Sequence, residues 1–539
     1  MYGKRFRLLL AAAALLLIAG CDRGTPDVQD LLRAKSAKGE KTKKVIFLMT
    51  DSLMPQAIDE GVRKRELPAF RFLIERGQYY KDLVSSFPTM SVSIDSSLLT
   101  GKYPDEHRVP GLVWYSAAER KIVNYGTGPM EVLKLGVDPV LADALVRLNG
   151  SHLNPKLPTI YEDLARLGYK SGSINGIIYR GRTEHVLSIP KWMNVPTALP
   201  ETVRVKGPDL LTLGTLSNPF EGEENVPGDG VANKLGFGHD FAFGAVRHLI
   251  RTGRLPDFLF VYLPELDREL HKDGPPGLEG VKKLDGQLMA LLQAFGSPEK
   301  ALEEAVIVVA GDSGMTQILP AGQNSEIDLP ALLRDYRVLR TGEDVSAETE
   351  IVLAVNETMA YVYNLGSGRK SGDIAEALRR EPRIDFVAWK EREWIRVVQG
   401  GTGRQLRYKA GGTLVDRYRQ AWTVELDAKV LDLKTDASRH SLEYGYYPDV
   451  LRQLSAALHS HEGDYLVVTA KPGYELADES SPTHEGGGGH GSVGKTESLV
   501  PLLIAGTERK PQYLRMVDLK PYLIRLVTGQ DGAIDKRLE

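Results

Sequence analysis

The chain has 539 residues, enough for one large domain and a smaller one. Its 68 Lys and Arg residues nearly balance its 71 Asp and Glu residues, and a formal net charge of -3 argues against nucleic acid as a partner. A single cysteine excludes an internal disulfide and a cysteine-rich metal site.

Residues 1–20 have the pattern of a secretory signal peptide. A basic stretch precedes an apolar run from Leu8 to Ile18, which is shorter than the about 20 residues that span a bilayer. The following IAGC looks like a bacterial lipobox and predicts cleavage before Cys21 and acylation of its thiol. We expect an extracytoplasmic protein, lipid-anchored to the bacterial cell membrane, with residues 21–44 as a flexible linker. An uncleaved signal anchor or a secreted protein is the alternative.

Strands and helices alternate over residues 45–316. The central segments, in chain order, are KKVIFLMTD (strand), LPAFRFLIERG (helix), SSLLTGKYP (helix end), LPTIYEDLARLGYKSGSING (helix, then strand), FLFVYLPELD (strand), LDGQLMALLQAF (helix) and AVIVVAGDSGM (strand). Continuous apolar runs that end in an acid are typical of parallel strands buried on both faces. The alternation predicts a doubly wound α/β sheet, in which functional groups gather at the carboxyl ends of the strands.

The pattern changes at residue 317. Residues 317–464 have more charge, more β-branched residues and several turn signals, which predicts an inserted α+β cap or side domain. DYLVVTAKPGYEL then predicts a return to the core sheet, so that residues 45–316 and 465–539 form the core.

Three of the predicted strands end in acids, Asp51, Asp267 and Asp312. The ends of parallel strands share one edge of a sheet, where three carboxylates would repel unless a divalent cation bound them. His271 follows Asp267 by one helical turn, a spacing that suits a pair of metal ligands. A single acid at such a position is more often a helix cap.

A glycine-rich segment near the C-terminus supplies two more candidate ligands, His484 and His490. Within it, GHGSVGKT matches the phosphate-binding P-loop letter for letter. A P-loop requires a buried strand before the glycines and a helix after them. Here a polar, turn-rich segment precedes the glycines, and the strand-like SLVPLLIAG follows, so a P-loop NTPase is only a remote alternative.

A cluster of hydroxyl side chains precedes the helix that ends in LLTG, in FPTMSVSIDSSLLTG. A hydroxyl at the start of a helix can act as a nucleophile beside free backbone N–H groups. Helix capping is the structural alternative for most of these residues.

Together these segments resemble the alkaline phosphatase superfamily, and most closely its nucleotide pyrophosphatase/phosphodiesterase-like branch. The resemblance rests on Asp51 after the first strand, the PTxS…SxLTGxYPxxH block, the D-x-x-x-H pair, a strand ending in D-x-G-M, and the late HG, in the family order. It implies a three-layer α/β/α core with a mostly parallel sheet. It also implies a phosphodiesterase or phosphatase with two metal ions, usually zinc, about 4 Å apart.

The resemblance also implies roles for individual residues. Asp267, His271 and His490 correspond to the ligands of the first metal, and Asp51 and Asp312 to ligands of the second. The nucleophile falls on Ser91, with Thr89 as the nearby alternative, and forms a phosphoserine that is then hydrolysed.

One position departs from the family pattern. Ser313 stands where the family has a histidine, and a serine hydroxyl is a much poorer zinc ligand than imidazole. We therefore expect Ser313 to leave a weaker second site, one that holds Zn²⁺ or a harder ion (Mg²⁺, Mn²⁺ or Ca²⁺), recruits His484, or stays empty.

Two main interpretations follow. The first is an extracytoplasmic, metal-dependent hydrolase of a phosphate-ester small molecule or envelope substrate. The second is a non-catalytic envelope lipoprotein that keeps the fold and binds a phosphorylated ligand. A sulfatase is disfavoured, because the modified Cys or Ser in a C/S-x-P-x-R context is missing around SVSID.

Overall fold

The computed structural model describes residues 42–127, 134–189, 200–223, 226–366 and 368–529. The predicted signal peptide, Cys21, most of the linker and residues 530–539 of the predicted core lie outside these ranges. Among the described residues, no helix combines the length and apolar character that crossing a bilayer requires.

Seven strands form the core sheet, which is parallel except for one strand that runs antiparallel to both of its neighbours, Leu499–Ala505. In spatial order the strands are Gly77–Val84, Leu499–Ala505, Ala305–Gly311, Lys44–Thr50, Phe258–Leu263, Ser171–Ile174 and Leu210–Thr212. The central strand, KVIFLMT, is buried along almost its whole length, because helices cover both faces of the sheet.

Alternate side chains of the central strand point into two separate hydrophobic cores. Ile46 and Leu48 pack on one face, and Val45 and Phe47 on the other. The first face is covered by helices Pro55–Lys64, Pro68–Arg76, His239–Arg251 and Leu278–Gln293. The second is covered by helices Ser91–Thr100, Ile160–Arg166 and Leu519–Thr528. The predicted three-layer α/β/α core with a mostly parallel sheet is confirmed.

Local sequence signals explain where several helices begin and end. Pro55 and Pro68 occupy first helical positions, where no backbone N–H is needed. Thr159 and Glu162 form a reciprocal capping box. Gly101 ends the helix that starts at Ser91, in the left-handed conformation that glycine tolerates best.

Further helical segments occur along the described chain. They are α-helices Pro104–His107, Val137–Ala142, Glu265–Asp273, Pro298–Glu304, Leu329–Leu332, Ser371–Leu378, Val450–Leu458 and Lys495–Ser498, π-helix Asp143–His152, and 3-10 helices Val231–Gly236, Ala428–Leu431 and Met516–Asp518.

A second, nine-stranded sheet is built mainly from the predicted insert and is called the insert sheet. Its strands run in the spatial order Ile351–Asn356, Met359–Asn364, Tyr465–Ala470, Ile384–Glu391, Trp394–Gln399, Gln405–Val415, Ser441–Tyr444 and Leu433–Asp436, and Ala421–Leu426 also pairs with Gln405–Val415. Helices Ser371–Leu378 and Val450–Leu458 cover its opposite faces. Four two-stranded pairs complete the fold: Val113–Ser116 with Lys121–Asn124, Thr183–Ser188 with Thr202–Gly207, Thr316–Gln317 with Gly488–Gly489, and Glu326–Asp328 with Glu475–Ala477.

One predicted strand lies in the other sheet. Tyr465–Ala470 pairs with Met359–Asn364 and Ile384–Glu391, so the prediction that the chain returns to the core sheet at this strand is wrong. All six of its residues are buried, and a continuous apolar run marks the centre of a sheet without specifying which sheet. The chain re-enters the core sheet only at Leu499–Ala505. The predicted domain limits otherwise stay a prediction.

The first hairpin of the insert sheet is fixed against the core. The Asn356 side-chain oxygen accepts hydrogen bonds from the backbone N–H groups of Leu112 and Val113, at 2.8 and 3.0 Å. The Tyr361 hydroxyl donates to the Pro110 carbonyl at 2.8 Å. These contacts hold the hairpin turn beside the carboxyl edge of the core sheet.

Candidate active site and metal centre

Two strand-end acids lie side by side at the carboxyl edge of the core sheet. Asp51 directly follows the central strand, and Asp312 directly follows the neighbouring strand Ala305–Gly311. These two strands pair in parallel with Thr50 opposite Gly311, so the acids leave the sheet at the same level. The sequence prediction for both residues is therefore matched by their placement.

Asp267 reaches the same edge in a different way. Its strand already ends at Leu263, and Asp267 lies in the first turn of helix Glu265–Asp273. The expectation that Asp267 ends a strand is wrong, because the chain turns at Pro264 and the helix begins directly afterwards. The predicted helical spacing of Asp267 and His271 is confirmed.

Asp267 and two histidines, which the sequence predicts as ligands of the first metal, lie close together. The Nε2 atom of His271 lies 3.2 Å from Asp267 Oδ1, and the Nε2 atom of His490 lies 3.4 Å from the same oxygen. The three ligand atoms are close enough together to hold one metal ion. The glycine-rich segment thus brings His490 next to a pair of residues more than two hundred positions earlier.

Both imidazoles are oriented by their other nitrogen. His271 Nδ1 lies 2.8 Å from the Gly488 carbonyl oxygen, and His490 Nδ1 lies 2.6 Å from that of Thr89. A metal-binding histidine usually donates its second N–H to such an acceptor, which fixes the ring and leaves the first nitrogen free for the metal. This arrangement directs both Nε2 atoms toward Asp267.

His484, the additional candidate, lies against His271. The two rings stack with their centroids 4.1 Å apart, and His484 Nδ1 lies 2.8 Å from a carboxylate oxygen of the buried Glu475. With His271 and Glu357 it forms a second group of side chains that could hold a metal ion. His484 is therefore placed at the site by the structure.

Ser91 is the first residue of helix Ser91–Thr100, and it faces the acids. Its hydroxyl donates a hydrogen bond to Asp51 Oδ1 at 3.3 Å. Thr89 is fully buried instead, donating to the Ser492 carbonyl at 3.0 Å and accepting from the Gly491 N–H at 2.8 Å. The geometry favours Ser91 over Thr89 as the nucleophile, because the Thr89 hydroxyl is occupied in supporting the His490 segment.

Asp312 and Ser313 are wholly buried. Asp312 Oδ1 accepts hydrogen bonds from the backbone N–H groups of Ser52 and Ser313, at 2.9 and 2.6 Å. Its other oxygen, Oδ2, is buried without a hydrogen-bond partner. The Ser313 hydroxyl lies 3.1 Å from that of Ser52, which donates to Asp267 Oδ1 at 2.8 Å. A buried carboxylate oxygen without a hydrogen-bond partner suits a residue that binds a cation.

Sequence reasoning missed three residues of the site. Tyr262 donates its hydroxyl to Asp51, and Ser52 links Asp267 to Ser313. Glu357 comes from the hairpin turn of the insert sheet, with Oε1 3.7 Å from His271 Nε2. The Glu-Thr dipeptide between VLAVN and MAYVYN is not one of the common hairpin-turn pairs, and no pattern in the sequence places this turn beside the core sheet.

The acids of the site have strongly shifted pKa values. Burial raises the pKa of Asp51 well above its ordinary value, and the charges of Asp267 and Asp312 raise it further. Burial likewise raises the pKa of Asp312. Burial opposes the ionisation of Asp267 too, yet its hydrogen bonds with His271 and His490 hold its pKa far below the usual range.

The histidines shift in the complementary direction. Burial favours a neutral His271, but the carboxylates of Glu357 and Asp267 raise its pKa to about 9. The same two carboxylates raise the pKa of His490 well above its usual value, against the effect of burial. The upward pKa shift of both imidazoles among four acids indicates that the site favours positive charge, as a divalent cation would supply. The residues present therefore fit a metal ion.

The P-loop-like segment has neither of the elements that such a loop needs. Only the two-residue strand Gly488–Gly489 precedes the loop, and only the four-residue helix Lys495–Ser498 follows it before the next strand. The buried Glu497 side chain accepts hydrogen bonds from Thr316, Thr358 and the Ser492 N–H. The segment is a scaffold that holds His490.

A cavity of about 460 Å³ opens over these residues. Polar and charged side chains line it, namely Asp51, Ser91, Asp267, His271, Glu357, His484 and His490. Apolar and aromatic side chains line it as well, among them Met90, Leu112, Tyr125, Ile177 and Val355. A cavity lined by both kinds of side chain suits a small molecule with a charged and an organic part.

The three-layer α/β/α core, with candidate metal ligands and a serine hydroxyl at the carboxyl edge of its sheet, fits a hydrolase of phosphoric esters. The chain belongs to the type I phosphodiesterase/nucleotide pyrophosphatase family, whose model matches residues 45–493. No curated protein sequence matches the chain.

Several solved structures share the fold at low sequence identity. An inactive variant of murine ectonucleotide pyrophosphatase/phosphodiesterase 5 in complex with AMP has a TM-score of 0.53 at 13% identity, covering 90% of this chain and 95% of that one. The human enzyme gives 0.52 at 12% identity, covering 90% and 95%. Phosphonoacetate hydrolase from Sinorhizobium meliloti, in complex with phosphonoformate, gives 0.52 at 16% identity, covering 92% and 98%.

Proposed function

We propose that this protein is a metal-dependent phosphodiesterase or phosphatase that forms a covalent phosphoserine at Ser91. The observation that carries the proposal is the position of the Ser91 hydroxyl, 3.3 Å from Asp51 Oδ1 in the cavity that also contains Asp267, His271 and His490. A nucleophile, a proton acceptor and a set of metal ligands thus share one water-accessible site.

Ser91 performs the first chemical step. Its Oγ bonds to the phosphorus as the bond to the leaving oxygen breaks in line, and Asp51 Oδ1 holds the proton released from the hydroxyl. The leaving oxygen departs on the opposite side of the phosphorus and takes a proton from water, while Asp51 releases its proton to solvent. Because Ser91 begins a helix, the first backbone N–H groups beside it have no acceptor within the helix and favour the negative phosphoryl group. Water then breaks the phosphoserine and restores the hydroxyl.

The metal ions would be held by two sets of residues. Asp267, His271 and His490 would hold the first, with Zn²⁺ preferred by the two imidazoles. Asp51 and Asp312 would hold the second, where the serine at position 313 favours Zn²⁺ less and a harder ion, Mg²⁺, Mn²⁺ or Ca²⁺, more. When bound, such ions supply Lewis-acid stabilisation of phosphoryl oxygens and lower the pKa of the nucleophile.

The substrate class is a small organic phosphoric ester, and diesters are the first choice. The apolar and aromatic side chains that line the cavity suit an organic group on the ester. Relatives of known structure bind AMP and phosphonoformate, so monoesters and phosphonates belong in the same panel of substrates.

The protein would act outside the cytoplasm, anchored through acylated Cys21, as the lipobox-like IAGC indicates. Fractionation tests this location. Full-length protein should sediment with membranes, and Cys21→Ala should abolish its labelling by a palmitate analogue. Unlabelled wild-type protein in the soluble fraction would contradict the anchor.

The activity is tested on purified protein with bis-p-nitrophenyl phosphate, p-nitrophenyl phosphate and phosphonoacetate, after loading with each divalent ion in turn. Turnover that needs a divalent ion and is lost in Ser91→Ala supports the proposal. The serine at position 313 favours a second candidate, a protein that only binds a phosphorylated ligand. Ligand binding without turnover under every metal condition would favour that candidate.

A further inference from the structure

Glu357 occupies an unusual backbone position. It is in the two-residue turn between strands Ile351–Asn356 and Met359–Asn364, with a positive φ of 57°. Glycine and asparagine adopt this left-handed conformation at the lowest cost, and a long side chain there is uncommon. An uncommon backbone conformation near a functional site suggests that the residue has a functional role. Here the conformation directs the Glu357 carboxylate into the cavity that contains Ser91.

The carboxylate faces both histidines of the first metal site. Glu357 Oε1 lies 3.7 Å from His271 Nε2 and 4.0 Å from His490 Nε2. The same two nitrogens lie 3.2 and 3.4 Å from Asp267 Oδ1. With metal–ligand bonds of about 2.0–2.2 Å, neighbouring ligands of a tetrahedral zinc ion lie about 3.3–3.6 Å apart. Each histidine nitrogen therefore faces two carboxylate oxygens, that of Asp267 at about the separation expected for two ligands of one ion and that of Glu357 slightly farther away.

We propose that Glu357 is a further ligand of the ion held by Asp267, His271 and His490, an inference that rests on the proposed metal-dependent function. The two carboxylates would balance the two charges of the ion. The inserted segment would then complete a metal site that the core alone leaves with three protein ligands. With this assignment the first site has four protein ligands. The second site has two acids, Asp51 and Asp312, and a serine, Ser313, which is a poorer ligand.

A purely structural role for Glu357 can be separated from metal binding. Its second oxygen, Oε2, accepts a hydrogen bond from the His490 backbone N–H at 3.0 Å. Glu357→Gln keeps an amide oxygen that can accept this bond, and it removes the negative charge. Glu265→Gln is the matched control, because Glu265 lies on the same helix as Asp267 but pairs with Lys234, at 2.7 Å.

The test measures Zn²⁺ affinity of the metal-stripped full-length protein by competition with a chromophoric chelator. We expect Glu357→Gln to bind Zn²⁺ at least about tenfold more weakly, and Glu265→Gln to bind like wild type. Wild-type affinity in Glu357→Gln, with loss of binding in His271→Ala, would overturn this inference and leave the proposed function intact. Wild-type protein that takes up no divalent ion would overturn both.

A second measurement needs no variant. Anomalous diffraction from crystals of the zinc-loaded wild-type protein locates the ion directly. A Glu357 oxygen within about 2.2 Å of the ion supports the inference, and one beyond about 3.5 Å overturns it.

Discussion

The hydroxyl of Ser91 donates a hydrogen bond to Asp51 Oδ1 at 3.3 Å, although the two residues belong to different layers of the fold. Asp51 ends the central strand of the core sheet, and Ser91 starts a helix that covers one face of that sheet. The pair fixes the nucleophile beside a carboxylate that is itself held by the Tyr262 hydroxyl. This arrangement is the basis of the chemistry proposed for the protein.

The first prediction concerns the nucleophile. Ser91→Ala should lower kcat on bis-p-nitrophenyl phosphate at least about 1,000-fold, because it removes the proposed nucleophile and the nearby Thr89 hydroxyl is held by the Ser492 carbonyl. Zn²⁺ affinity and thermal stability should change little, since the Ser91 side chain makes one long hydrogen bond. A variant that keeps full activity would exclude a phosphoserine at this position.

The second prediction separates Thr89 from Ser91. Thr89→Val leaves the Gly491 N–H and the Ser492 carbonyl without their partner, so the free energy of unfolding should fall by about 1–3 kcal/mol. Zn²⁺ binding should weaken too, because His490 loses its support. Thr89→Ser keeps the hydroxyl and should restore both properties. Loss of turnover in Thr89→Ser with unchanged stability would indicate instead that Thr89 takes part in the chemistry.

The third prediction concerns metal and stability. In the proposed function Zn²⁺ binds only the folded site, so at about 100 times its Kd it should raise the free energy of unfolding by about 2.7 kcal/mol. The increase should disappear in His271→Ala, which removes one of three convergent ligands. Calorimetry with and without zinc measures the effect. An equal zinc-induced shift of Tm in His271→Ala would place the stabilising ion elsewhere.

The fourth prediction concerns pH and a residue remote from the site. Burial raises the pKa of Asp385 to about 6, although Tyr447 donates to both of its oxygens. A raised pKa means that the folded state prefers the protonated acid. The stabilisation is therefore complete below pH 3.8 and is lost as pH rises to about 6, by up to about 3 kcal/mol.

Urea unfolding of the wild type and Asp385→Asn at pH 4 and pH 7 measures this effect. The variant should be less stable than the wild type by a larger margin at pH 4 than at pH 7, because Asn cannot titrate. The same margin at both values would show that the pKa of Asp385 does not shift on folding.

The core of the fold was predictable because its strands are long apolar runs bounded by clear turn and cap signals. KVIFLMT and AVIVVAG each predict a strand buried on both faces, and both lie at the centre of the core sheet. YLVVTA carries the same signal but belongs to the insert sheet. Apolar periodicity reports burial and says nothing about the pairing partner, so this strand was assigned to the wrong sheet.

The candidate site, like the fold, contains residues that the sequence predicts and a residue that it does not. Asp51, Asp267, His271, Asp312 and His490 were predictable from their motifs, because strand ends, helical spacing and family order constrain them. Glu357 was not, because its approach depends on how the insert hairpin packs on the core through Asn356. Tertiary packing of this kind leaves no periodic trace in the sequence.

The most direct test of the central claim is a search for the covalent serine intermediate itself. Metal-loaded wild-type protein is quenched in acid during turnover of bis-p-nitrophenyl phosphate, digested, and examined by mass spectrometry. The proposed mechanism predicts one added p-nitrophenylphosphoryl group on the peptide that contains Ser91, because the diester loses only one of its two p-nitrophenolates in the first step. This adduct should be absent without substrate and absent in Ser91→Ala. Sustained turnover with that peptide unmodified, and with Ser91→Ala as active as the wild type, would contradict it.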